Sequence, residues 1–131
     1  HGMGEGIGYL LNVHEGPNSS RWKNIAGSPA AVLEEGMITS DEPGYYLENE
    51  FGIRHENLVL CKKAEKTPFG QFMCFESLTM VPFDLDGVDT EQMSDRERKL
   101  LNEYHKKVYV TIAPYLDEEE KAWLRQATRE I

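Results

Sequence analysis

Two glutamates stand out by what surrounds them. Glu42 lies in Ser40-Asp41-Glu42-Pro43-Gly44-Tyr45-Tyr46, and Glu56 in Phe51-Gly52-Ile53-Arg54-His55-Glu56-Asn57. Ahead of both comes His1-Gly2-Met3-Gly4-Glu5-Gly6-Ile7-Gly8, and then Leu11-Asn12-Val13-His14-Glu15-Gly16-Pro17. Carboxylates on neighbouring strands suit a dinuclear centre, because cations about 3.5–4 Å apart repel each other and need several anions to hold them with a hydroxide between. Oxygen donors favour Mn²⁺, with Co²⁺ and Zn²⁺ as alternatives. An arginine beside such a carboxylate fixes its geometry through charge-assisted bonds, and an imidazole titrating near neutrality can pass a proton to a reacting group. Taken singly, strand glutamates are more often solvated, a lone His14 is more often a surface or hydrogen-bonded residue, and Tyr45 and Tyr46 can be core or rim aromatics. Arg54 alone can be a plain structural partner. The surrounding strings are what set these residues apart. His55, His105 and Trp22 are expected to take no part in chemistry. The glycine block is not a dinucleotide fingerprint, since the third glycine would fall where Ile7 stands.

The elements that must carry these residues are mostly strands. A tight turn and a short strand are expected at Tyr9-Leu10-Leu11-Asn12-Val13, a polar surface loop over residues 17–29, and a helical turn over residues 30–35. Met37-Ile38-Thr39-Ser40 reads as a short strand stopped by Pro43-Gly44, which puts Glu42 at a strand end. Residues 51–63 and 71–81 alternate in polarity and flank Thr67-Pro68-Phe69-Gly70, the pattern of an antiparallel hairpin. Centred near Thr67-Pro68, that turn would set Cys61 opposite Cys74, both as free core thiols rather than a crosslink. The last part is helical. Ser94-Asp95-Arg96-Glu97 is a capping box, followed by Leu100, Leu101, Tyr104, Val108 and Ile112 at helical spacing. Pro114 interrupts the pattern, and Asp117-Glu118-Glu119-Glu120 starts a second helix whose dipole favours acidic residues there. Strands first and helices last give an α+β fold, an antiparallel sheet with C-terminal helices packed on one face.

Together and in this order, these blocks resemble the metal-site half of the creatinase and methionine-aminopeptidase, or pita-bread, metallohydrolases, with the nearest likeness to Xaa-Pro aminopeptidases. The resemblance covers nearly the whole chain and implies that residues 1–131 are the carboxyl-terminal half of a pita-bread catalytic domain. It implies removal of an N-terminal residue from a peptide with proline at the second position, by a centre of two divalent metals. It makes Glu42 and Glu56 metal ligands, His14 a proton shuttle near the scissile bond, and His1 a lining residue of the substrate pocket. Arg54 and Tyr46 become residues that orient ligands and support the tetrahedral intermediate. The family reads His-Gly-X-Gly-His in its first block, and its second histidine is a ligand. Glu5 stands at that position here, a carboxylate that can also ligate a metal and so stays a candidate ligand, with different charge and reach. The family's two aspartate ligands lie upstream of that block, outside residues 1–131. A chain with this share of the ligands is expected to be inactive alone, and to associate with the missing amino-terminal half or with itself. The alternative is a metal-free, degenerate half that serves as a binding module.

Composition bounds the rest. With 131 residues, 40% hydrophobic and 10% aromatic, the chain is long and apolar enough for a core of its own. A formal charge of −9 argues against nucleic acid, which needs clustered Lys and Arg. No apolar run of about 18 residues is present, so no membrane span is expected. No signal peptide is visible, although the chain does not open with Met, which leaves a processed start open. Two cysteines are not a disulfide framework, and a reduced, cytoplasmic setting is expected.

Overall fold

The structure, a computed structural model, describes residues 3–10, 14–23, 27 and 31–131. It divides into two compact units, His1–Thr79 and Met80–Ile131. The first is antiparallel throughout. β1 (Gly4–Glu5) pairs with β2 (Ser19–Ser20), β3 (Ile38–Asp41) with β6 (Asn57–Thr67), β4 (Gly44–Leu47) with β5 (Phe51–Arg54), and β6 with β7 (Gly70–Ser77). The three-stranded sheet runs in the order β3-β6-β7, and a bridge from Gly6 to Thr39 ties β1 to its edge. Gly4 must lack a side chain for that approach, since a Cβ there would lie 2.0 Å from the carbonyl oxygen of Ser40.

Several expectations for this unit need correction. Residues 31–34 form no helical turn. Glu35 and Gly36 form a turn closed by Met37 N–H donating to Glu34 O at 3.2 Å, with Gly36 at φ 92°, and Gly36 N–H donating to Cys61 O at 2.9 Å and Cys61 N–H to Met37 O at 2.8 Å tie that turn to β6. The apolar run 51–63 is two strands, broken at His55-Glu56, and β7 ends at Ser77 rather than Val81. The hairpin turn sits one residue later than expected. A bulge between Lys63 and Lys66 shifts the register, so Cys61 faces Phe75 and Cys74 faces Lys62. Facing residues share a sheet side and successive residues alternate. The two thiols therefore lie on opposite sides: Cys61 is buried, Cys74 exposed, and both are free. Of the strand expected at residues 9–13, Tyr9 and Leu10 lie in a turn, and residues 11–13 fall outside the described ones.

The second unit is helical. α1 (Asp95–Ile112) starts at the Ser94 capping box: Glu97 N–H donates to Ser94 Oγ at 3.3 Å, and Ser94 N–H to Glu97 Oε2 at 2.8 Å. Pro114 sits in a 3₁₀ turn, Ala113–Tyr115, and α2 (Glu118–Ala127) starts at a second capping box built by Asp117 and Glu120. Val108, Ala113 and Leu124 are the buried centre, with Met80, Tyr104, Tyr109, Ile112 and Leu116 packed around it. Leu100, expected on the buried stripe, faces solvent, because positions 101, 104, 105, 108 and 112 make the inner face. Among the described residues no helix is long and apolar enough to cross a membrane.

His105 is fully buried in this unit and accepts the Phe83 N–H on Nε2 at 3.0 Å. Burial, and to a lesser degree the charge of Arg129, push its pKa below the ordinary 6.5. As pH falls, the unfolded chain therefore takes up this proton first. The stability contributed by the neutral imidazole is complete above about pH 6.5 and is lost as pH falls toward the folded-state value. The urea midpoint of the chain is expected to drop between pH 7.5 and 5.5, and His105→Gln is expected to flatten that slope.

Candidate active site

The ladder between β3 and β6 ends at the pair Asp41–Asn57. Glu42 follows β3 directly and Glu56 directly precedes β6, so the two carboxylates leave the same end of the same ladder. The chain between them forms the β4–β5 hairpin, whose base is closed by His55 N–H donating to Pro43 O at 3.1 Å. Alternation along this hairpin separates two faces. Tyr45, Leu47, Phe51 and Ile53 form an apolar side, with the Tyr45 and Phe51 rings 6.3 Å apart. Gly44, Tyr46, Gly52 and Arg54 form the other. The Tyr46 ring lies flat across Gly52, where an added Cβ would come within 2.6 Å of the ring.

Arg54 joins the two glutamates. Its Nη1 donates to Glu42 Oε2 at 2.7 Å, and its Nε lies 3.7 Å from Glu56 Oε2, an ion pair beyond hydrogen-bonding range. The bond to Glu42, then the nearby Tyr46 phenol, raise the pKa of the guanidinium above its ordinary value. The other oxygen of Glu42, Oε1, accepts from Ser40 Oγ at 2.8 Å, and its backbone N–H donates to Met3 O at 2.8 Å. The Glu42 side chain is 12% exposed, whereas those of Arg54 and Glu56 are 46% exposed each. Ion pairs this open add little to stability; what they supply is position.

Ser40 is the link that sequence reasoning missed. Buried and placed between β1 and Glu42, it also accepts the Glu5 N–H at 2.9 Å. Its place two residues before Glu42, on the same strand side, was the available signal. Glu5, on β1, turns its carboxylate to His14, whose Nδ1 lies against Oε2. The side chains of Ser40, Glu42, Arg54 and Glu56 are thus linked by polar contacts, Ser40 joins them to the backbone of Glu5, whose carboxylate meets His14, and Tyr46 sits beside Arg54. His1 lies outside the described residues. His55 and Trp22 are exposed, and His105 belongs to the helical unit.

The donor chemistry is that of a hard-cation site, but the described residues do not complete one. No group of three His, Cys, Asp or Glu among them converges to hold a metal ion. Both oxygens of Glu42 are engaged, and Glu5 Oε2, which is buried, faces an imidazole. A metal held here would need further ligands from elsewhere. An apolar groove of about 670 Å³, lined by residues such as Met80, Ile112, Leu116 and Trp123, is built wholly from the helical unit and contains none of these residues.

Comparison with known proteins gives a consistent picture. The model described as metallopeptidase family M24 matches residues 1–63, and the model described as the C-terminal region of peptidase M24 matches residues 71–131. A probable Xaa-Pro aminopeptidase P from Arthroderma otae is 42% identical over 140 residues, covering 100% of this chain and 22% of that protein. Aminopeptidase P2 from Arabidopsis thaliana is 43% identical over 136 residues, covering 100% of this chain and 19% of its own length. The crystal structure of X-prolyl aminopeptidase from Caenorhabditis elegans, described as a cytosolic enzyme with a di-nuclear active site, aligns with a TM-score of 0.81 and 33% identity over 100% of this chain and 22% of that one. The α+β fold is that of the matching portion of a pita-bread enzyme. The chain spans about a fifth of the length of these relatives. Since they are peptidases, the reading as a metal-free binding module is not favoured.

Proposed function

We propose a function on one premise: this chain belongs to metallopeptidase family M24. Residues 1–131 form the carboxyl-terminal half of the catalytic domain of a longer, metal-dependent Xaa-Pro aminopeptidase. The full-length protein hydrolyses the bond between an N-terminal residue and a proline that follows it. The observation that carries this reading is Arg54 holding Glu42 and Glu56 at one ladder end, with Ser40 tying Glu42 to the Glu5–His14 pair. Glu42 and Glu56 belong to the metal centre. Arg54 and Tyr46 fix their positions, His14 carries a proton at the leaving amine, and His1 lines the substrate pocket.

The centre takes two divalent ions, with Mn²⁺ first for so oxygen-rich a donor set and Co²⁺ or Zn²⁺ as substitutes. The remaining ligands come from the half of the domain that carries the family's aspartates. The open apolar side chains on one face of the β4–β5 hairpin, Tyr45, Phe51 and Ile53, fit a surface that another half covers. The description of the Caenorhabditis elegans enzyme as cytosolic supports a cytoplasmic location.

The test is hydrolysis by the full-length protein with Mn²⁺. A tripeptide with proline second is expected to lose its first residue, and the same peptide with alanine second is expected to react about 100-fold more slowly. The 131-residue chain alone is expected to turn over neither. Absence of Xaa-Pro cleavage by the metal-loaded full-length protein rejects the reading.

A further inference from the structure

Glu5 stands where the resembled family carries a metal-ligating histidine, yet its side chain is committed elsewhere. Its Oε2 is buried and lies against Nδ1 of His14. The backbone that carries this carboxylate is fixed. Glu5 pairs with Ser19, its N–H donates to Ser40 Oγ at 2.9 Å, and its carbonyl accepts from Thr39 Oγ1 at 2.9 Å. Thr39 and Ser40 are both buried, so the anchor is the sheet edge itself.

His14 is the opposite case. Its side chain is 71% exposed and its backbone is in the left-handed region, with φ 74°. The residue after it is pinned to the glycine segment by Glu15 N–H donating to Gly6 O at 3.1 Å. An exposed imidazole on a turn has no orientation of its own. A carboxylate anchored on a strand and set against Nδ1 supplies one: it selects the tautomer with the proton on Nδ1 and leaves Nε2 facing outward as the free ring nitrogen.

We infer that Glu5 is a positioning residue for His14 and not a metal ligand, holding Nδ1 so that Nε2 is presented to the substrate. The inference deepens the peptidase reading and rests on the role given there to His14.

The test has one arm that needs no activity. The 131-residue chain is labelled with ¹⁵N at histidine and observed at pH 8.5, where a free imidazole, with an ordinary pKa of about 6.5, is neutral. His14 signals are identified by their loss in His14→Gln. In the parent chain, His14 is expected to carry its proton on Nδ1. Glu5→Ala is expected to give mixed tautomers, and Glu5→Gln, whose amide oxygen still accepts from Nδ1–H, to keep the parent form. An unchanged His14 tautomer in Glu5→Ala overturns the inference.

In the full-length protein, Glu5→Ala is expected to lower kcat by about 10- to 100-fold, with KM and bound metal unchanged, and Glu5→Gln to recover most of the rate. Loss of bound metal in Glu5→Ala, or an unaltered kcat, overturns it as well. If the parent protein shows no Xaa-Pro turnover, the peptidase reading fails, while the tautomer still answers whether Glu5 orients His14.

Discussion

Glu42→Gln in the full-length protein is expected to lower kcat/KM for Xaa-Pro cleavage by more than about 100-fold, beyond the 10- to 100-fold typical of groups that only support a metal ligand. Gln keeps the shape and one acceptor oxygen, which can still take the Arg54 Nη1 bond, while its amide N–H can donate to Ser40 Oγ in place of the bond that Glu42 receives there. What it removes is the negative charge that a cation requires. The melting temperature is expected to stay close to that of the parent, because the surrounding contacts survive. Glu48→Gln, in the exposed loop between β4 and β5, is the control and is expected to leave initial rates unchanged. A Glu42→Gln rate within a few-fold of the parent would place the essential carboxylate elsewhere.

Arg54→Lys is expected to lower kcat by about 10- to 100-fold while leaving KM and thermal stability nearly unchanged. The reason is geometric. One planar guanidinium reaches Glu42 through Nη1 and Glu56 through Nε, and a point-like ammonium cannot meet both in a fixed fork. The Arg54 and Glu56 side chains are half-exposed, so stability is little affected. Arg54→Ala with added guanidinium ion is expected to regain part of the lost rate, whereas added ammonium is expected to regain none. Equal rescue by both ions would make Arg54 a source of charge rather than of position.

Local signals in the sequence led to real elements wherever the physics was itself local. The Ser94 and Asp117 caps depend on residues three positions apart, and both form as read. The alternation in residues 57–77 marks the β6–β7 hairpin. Its register was not legible, because the bulge between Lys63 and Lys66 leaves no mark in the pattern. The β4–β5 hairpin escaped notice for a related reason. Pro43-Gly44 reads as a strand stop, and the turn that matters is Glu48-Asn49-Glu50, where Asn49 takes the left-handed conformation (φ 60°) without a glycine to announce it. β1 and β2 are two residues each and exist only because β1 docks on β3. No periodicity can show that.

The candidate site follows the same division. Glu42 and Glu56 were legible because they flank strands that do pair, which carries both side chains to one end. Arg54 reaches both from β5, as a supporting arginine would. Ser40 was hidden because its place two residues before Glu42 does not show that a neighbouring backbone, here that of Glu5, needs its hydroxyl. The partnership of Glu5 with His14 was hidden for the same reason: it joins a strand to a turn through space, and Glu5 had been read only against the histidine that the family carries there.

The most direct measurement is the metal content of the full-length protein with Glu42→Gln and Glu56→Gln combined, compared with the parent after Mn²⁺ loading and removal of free ion. About two ions per chain are expected in the parent and fewer than one in the double variant, with the fold intact by circular dichroism. Retention of the full parent content by the folded double variant would contradict the assignment of these two carboxylates to the metal centre.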